Sequence, residues 1–81
     1  MRVPRDINAS DLIRALRVLG YDHARQEGSH IRLTSLVGGT HHVTIPNHHP
    51  LKTGTLLGGV LKPVAAHHGL TVEELLAKLD L

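Results

Sequence analysis

Behind Asn8 the apolar positions Leu12, Ile13, Leu16 and Leu19 follow at helical spacing, while Arg14 and Arg17 fall on the opposite face, where they read as solvated charges. Asn8 with Asp11 three positions on reads as an N-cap with a weaker, acidic version of the capping box, so helix 1 is predicted over Ala9–Leu19 and ended by Gly20. The period then switches to alternation. Tyr21 to Gln26 reads as a strand, Glu27-Gly28 as a two-residue turn, and Ser29 to Thr34 as a second strand in which Ile31 and Leu33 alternate with His30, Arg32 and Thr34. A looser connection, Ser35 to Thr40 with Gly38-Gly39, leads to a third strand over His41–Ile45, ended by Pro46.

Leu56, Leu57, Val60, Leu61 and Val64 form the stripe of a second helix, roughly Gly54 to His68. Gly58, Gly59 and Pro63 are poor helix-interior residues, so a kink or early break is expected near Pro63. Gly69 stops this helix. Thr71 with Glu74 is a capping box for a short last helix over Val72–Leu79, with Leu75, Leu76 and Leu79 facing inward. The order α-β-β-β-α with a short C-terminal helix is that of an α+β sandwich, one three-stranded antiparallel sheet packed on helices. No repeat, low-complexity tract or long linker divides it, so residues 1–81 read as a single domain.

Alternation also sets the registers, because a slip of one residue turns every apolar side chain into water. Ile31 is expected across from Ile45 and Leu33 across from Val43, which puts Arg32 beside Thr44 and His30 level with Pro46. The polar face then carries His30, Arg32, Thr34, His42 and Thr44. A turn at Glu27-Gly28 sets Arg25 opposite His30 on that face but leaves Tyr21 pointing outward unless a bulge intervenes.

Composition narrows the options. A chain of 81 residues is small enough to bury only about 60% of its unfolded surface. It has no Phe or Trp, and Tyr21 is its single aromatic residue, so the core is built from Leu, Val, Ile and Ala. That excludes an aromatic platform on which RNA bases stack. The absence of Cys rules out disulfides and thiolate zinc sites and is compatible with a reducing compartment. Apolar stretches such as Leu56 to Leu61 are far short of a membrane span, and Met1-Arg2-Val3-Pro4-Arg5 lacks the apolar run of a signal peptide, so no membrane association and a cytoplasmic location are expected.

A net charge of +2 conceals an uneven distribution. From Gly28 to Val72 there is no Asp or Glu, while Arg32, Lys52, Lys62 and seven of the eight histidines lie inside this window, giving it a formal charge of +3 with neutral imidazoles. Such a surface suits a polyanion, and nucleic acid is the first partner to consider.

The doublets His41-His42, His48-His49 and His67-His68 suggest metal ligation, but adjacent residues point to opposite faces of a strand and about 100° apart on a helix, so no doublet is spaced to chelate one ion. Without an H-x-x-x-H pair, a Cys or a carboxylate in the window, no metal site and no cofactor are expected. These histidines read mostly as surface polar residues. His30 stands apart. Its register places it where Pro46-Asn47-His48 leaves the sheet and helix 2 begins, so Arg25, Arg32, His48, Lys52 and helix N-terminal amides are expected to converge on a phosphate. An imidazole beside a phosphodiester can take the ribose 2′-hydroxyl proton or protonate the leaving oxygen, which is metal-free RNA cleavage.

Four blocks in order resemble the HicA toxins, also called YcfA-like, of bacterial toxin-antitoxin pairs: L-I-R-A-L-R-V-L-G-Y, R-Q-E-G-S-H-I-R, V-T-I-P-N-H, and G-T-L followed by V-L-K and G-L-T-V-E-E-L-L, over about Asn8 to Leu76. The resemblance implies a double-stranded-RNA-binding-domain-like fold and metal-independent mRNA cleavage, with the His of G-S-H, here His30, as the catalytic residue. Carried over, Gly28 supplies the turn, Ser29 lies beside the site and His48 is a second recurrent histidine. It also implies a HicB-type antitoxin as partner, and a free toxin that is monomeric is compatible with it. The chain departs from the family pattern at Leu57-Gly58-Gly59, where many relatives carry Arg or Lys after G-T-L, and at Pro63.

Three functions compete. The first is an endoribonuclease toxin, with His30 catalytic and Arg25, Gly28, Ser29, Arg32, His48 and Lys52 contacting RNA. The second is a non-catalytic RNA-binding module of the same fold. The third is a structural interaction protein that uses only its apolar helices, and it predicts no salt-dependent RNA affinity.

Overall fold

Ala9, Leu12 and Leu16 stack one helical turn apart and are buried on one face of α1 (Ala9–Leu16), which tightens into a 3-10 turn over Arg17–Leu19. Asn8 occupies the N-cap position with extended backbone, and its carbonyl accepts from the amide of Leu12 at 3.1 Å. Its side chain makes no capping bond, and the Asp11 carboxylate lies toward Arg14 at 3.5 Å. The helix closes in a Schellman arrangement: Gly20 N–H donates to the Arg17 carbonyl at 3.0 Å, and Tyr21 N–H to that of Leu16 at 3.3 Å. Gly20 has φ +82°, and an added Cβ there would meet Val37 Cγ2 at 2.8 Å. Backbone and packing therefore both require glycine.

The computed structural model describes residues 3–4, 6–48 and 50–81; Met1, Arg2, Arg5 and His49 of the His48-His49 doublet lie outside the described residues. Three antiparallel strands form the sheet in the order β1-β2-β3, with β1 at Asp22–Glu27, β2 at His30–Ser35 and β3 at His41–Pro46. The β2–β3 ladder has the expected register: Ile31 pairs with Ile45, Leu33 with Val43, Arg32 with Thr44 and His30 with Pro46. Ile31, Leu33, Val43 and Ile45 are buried under the helices, leaving the other face open.

The first hairpin differs from expectation. Its turn is Gly28-Ser29 rather than Glu27-Gly28, so Arg25 pairs with Arg32, not His30, and Glu27 pairs with His30. The bulge that the sequence left open is present, between His23 and Arg25, and it turns Tyr21 inward, where it is fully buried. Every residue of β1 is exposed. With no apolar alternation to hold its register, turn and bulge set it.

Residues 53–67 are one continuous helical run, α2, with no break at Pro63. Thr55–Leu61 are π-helical and Lys62–His67 α-helical. Pro63 falls directly behind the π-helical stretch, in the first turn of the α-helical part, so the winding changes there and the helix does not break. Leu56, Val60, Leu61, Val64 and Ala65 face the core. Gly69 N–H to the Ala66 carbonyl at 3.3 Å and Leu70 N–H to that of Ala65 at 2.8 Å end the run. The capping box of α3 (Val72–Leu79) forms as expected: Glu74 N–H donates to Thr71 Oγ1 at 3.0 Å and Thr71 N–H to Glu74 Oε1 at 2.9 Å. These bonds hold the Glu74 carboxyl below its ordinary value. Leu75, Leu76 and Leu79 complete a core that also holds Leu12, Leu16 and Tyr21. Among the described residues no helix is long and apolar enough to cross a membrane.

Candidate nucleic-acid interface

Gly28 adopts φ +57° while Ser29 stays at negative φ, the sign pattern of a II′ turn, whose first central position favours glycine. An added Cβ at Gly28 would meet nothing within 4 Å, so the turn tip is open to solvent. Directly paired residues share a face, and the turn therefore sets Glu27 beside His30 and Arg25 beside Arg32 on the open side of the sheet. With Thr44 they line a shallow depression of about 200 Å³. Arg25 and Glu27 form an ion pair within it, with side chains 61% and 70% exposed. The depression thus holds one carboxylate beside its two guanidinium groups, just outside the acid-free window. His30 is exposed, and none of the side-chain hydrogen bonds among the described residues uses its ring.

Past Pro46 the chain stays tied to the turn: Asn47 N–H donates to the Ser29 carbonyl at 2.6 Å, and His48 N–H to that of Pro46 at 2.8 Å. Leu51 is buried and its N–H donates to the Ile7 carbonyl at 2.9 Å, anchoring the loop before the Lys52 carbonyl accepts from Leu56 N–H in the first turn of α2. Pro46, His48, Leu51, Lys52 and Thr55 line a second depression of about 170 Å³. The candidate residues therefore divide into two neighbouring groups rather than converging on one point. Arg25, His30 and Arg32 share the first depression, His48 and Lys52 the second, and the His30–Pro46 pair lies between them. Farther along the open face, Thr34 Oγ1 and His42 Nδ1 are 2.8 Å apart.

Three other histidines are not simple surface residues. Tyr21 Oη lies 2.7 Å from His41 Nδ1 and 3.1 Å from His68 Nε2. His67 Nε2 lies 3.1 and 3.0 Å from the Val37 and Gly39 carbonyls, so that nitrogen carries the hydrogen, and its ring stacks on His41 with centroids 4.5 Å apart. Burial pushes the Tyr21 phenol up to about 12, so it stays neutral and has one proton to give. One of His41 and His68 accepts that proton and the other donates to the phenol oxygen. Burial first, and then the neighbouring imidazoles, lower the pKa of both rings. His41 pairs with Ser35 at the ladder end opposite His30, about 17 Å away along the strand. This cluster fastens the end of α2 to the sheet. The sequence carries no signal for it, since it joins four segments that only tertiary packing brings together. Among the described residues no group of three or more His, Asp or Glu is placed to hold a metal ion.

A family model described as HicA toxin of bacterial toxin-antitoxin matches residues 9–58 of the 81. The matched segment runs from α1 through both hairpin turns into the π-helical part of α2 and so contains both depressions. No curated protein and no solved structure matches the chain.

Proposed function

The chain belongs to the HicA family of toxins from bacterial toxin-antitoxin systems, and we propose that it is an endoribonuclease that cleaves mRNA through His30 without a metal ion. The observation that carries this reading is the depression His30 shares with Arg25 and Arg32 on an open sheet face, inside the family-matched segment. RNA brings its own nucleophile, the 2′-hydroxyl, so cleavage requires positioning, charge stabilisation and proton transfer. Arg25 and Arg32 are the groups to hold the scissile phosphate, because a guanidinium offers paired donors to phosphate oxygens and stabilises the added charge of the transition state. The bare turn at Gly28-Ser29 lets the RNA backbone approach closely. Lys52 and His48, in the adjacent depression, hold the next stretch of that backbone.

A toxin of this kind requires restraint in its own cell, and a HicB-type antitoxin is the partner proposed. Its inhibitory surface presents carboxylates to His30 and Arg32 and competes with RNA for the same face. A second reading, a non-catalytic RNA-binding module, is favoured by one observation: the depression is shallow and His30 has no orienting partner among the described residues. Expression in growing cells separates the two. Growth arrest with mRNA loss for the natural chain, and neither for His30→Ala at equal protein level, supports the nuclease. Equal arrest by both chains contradicts it.

A further inference from the structure

Cleavage by 2′-hydroxyl attack needs a proton acceptor on the nucleophile and a proton donor on the leaving 5′-oxygen, and in an in-line displacement these oxygens lie on opposite sides of phosphorus, so the two roles call for two groups. Of the five side chains lining the first depression, Arg25 and Arg32 stay protonated and Thr44 does not exchange a proton near neutral pH. Glu27 is the one group there besides His30 with suitable acid-base chemistry. It is the direct cross-strand partner of His30, which sets their Cβ atoms about 5 Å apart on one face. His48 is the competing choice, but it lines the neighbouring depression beyond Pro46.

The Arg25–Glu27 ion pair does not account for Glu27 as a stabilising residue. Its side chains are 61% and 70% exposed, and pairs so exposed add little to stability. What the pair does is hold a carboxylate on the open face, beside the imidazole and two guanidinium groups.

Resting on the nuclease reading above, we propose that Glu27 is the general base of this site and His30 the general acid. Glu27 takes the 2′-hydroxyl proton, and the 2′-oxygen forms a bond to phosphorus. The bond from phosphorus to the 5′-oxygen breaks as His30 delivers its proton to that oxygen. The products are a 2′,3′-cyclic phosphate and a 5′-hydroxyl end. Proton exchange with water returns Glu27 to carboxylate and His30 to imidazolium, so charge and protons balance.

The test compares the natural protein, Glu27→Gln and His30→Ala on a short RNA, and on the same RNA with sulfur in place of the 5′-bridging oxygen, a leaving group that needs no acid. Glu27→Gln is expected to cleave both substrates about 10²- to 10⁴-fold more slowly, to lose the acidic limb of the pH–rate profile, and to bind RNA at least as tightly. His30→Ala is expected to fail on the oxygen substrate and recover on the sulfur one. A Glu27→Gln protein that cleaves at the natural rate, or is rescued by the sulfur substrate, overturns the assignment. So does one whose rate falls only in step with RNA affinity, because Glu27 would then act solely by placing Arg25. If His30→Ala also cleaves the oxygen substrate at the natural rate, the site reading itself fails; if it is inactive while Glu27→Gln is not, only the role of Glu27 fails.

Discussion

Replacing Tyr21 by Phe removes one oxygen and tests the histidine cluster that ties α2 to the sheet. Tyr21 is fully buried, and its hydroxyl is bonded to His41 at 2.7 Å and His68 at 3.1 Å. The substitution leaves the ring packing in place but strips two partly buried imidazole nitrogens of their partner. Each net hydrogen bond contributes about 1 kcal/mol, and an unsatisfied buried group costs about 1–3 kcal/mol, so a loss of roughly 1–3 kcal/mol is expected. In a chain this short that corresponds to a fall in Tm of very roughly 5–20 °C. The cluster also fixes the sign of the pH dependence. His41 and His68 titrate below the ordinary 6.5 when folded; the unfolded chain therefore takes up protons first as pH falls. The stability they contribute is complete above that value and is lost as pH drops through their folded pKa values. Urea unfolding at about pH 7.5 and about pH 5.5 measures both effects, with the natural protein weaker at the lower pH. A Tyr21→Phe protein within about 0.5 kcal/mol of the natural one at the higher pH would refute the energetic role of these bonds. A natural protein that gained stability on acidification would refute the titration.

Gly20→Ala should destabilise by about 1–2 kcal/mol in thermal melts, since it forces a Cβ into left-handed backbone and against Val37 Cγ2 at 2.8 Å; an unchanged Tm would mean the turn relaxes freely. Gly58 and Gly59 are exposed in the helix interior with nothing within 4 Å of an added Cβ. Each change to Ala should therefore add about 0.5–1 kcal/mol, and a loss instead would show that the π-helical winding depends on glycine. Reversing charge at Arg32 and Lys52 together should weaken RNA binding and lower the salt slope by roughly one unit per phosphate contact removed, with little change in sequence preference. Unchanged affinity at low salt would move the RNA site to another face, with Arg14 and Arg17 of α1 the next residues to test.

The β2–β3 ladder was readable because Ile31, Leu33, Val43 and Ile45 fit the core in only one register. β1 was not, because Asp22-His23-Ala24-Arg25-Gln26-Glu27 has no apolar phase and is exposed throughout, leaving turn chemistry alone to place it. The one available clue is Gly28, which suits the first position of a II′ turn, and reading the turn one residue early moved Arg25 to the wrong partner. The same slip hid the pairing of Glu27 with His30, since a carboxylate counted as part of the turn has no place on the sheet face. α2 misled differently: glycines and a proline weaken an α-helix, but the spacing of Leu56, Val60, Leu61, Val64 and Ala65 also suits wider winding that keeps the same face buried. Pairings such as Tyr21 with His41 and His68 depend on where α2 ends over the sheet, which local pattern does not encode.

His30 chemistry is tested most directly by incubating purified natural protein and His30→Ala with a defined single-stranded RNA in the presence of a chelator, with circular dichroism to confirm equal folding. The exposed position of His30 means the substitution should leave the fold intact. The natural protein should cut the RNA with chelator present and His30→Ala should leave it whole. Equal cleavage by the two proteins, or cleavage by the natural one that stops with chelator and returns with a divalent ion, would contradict metal-free catalysis by His30.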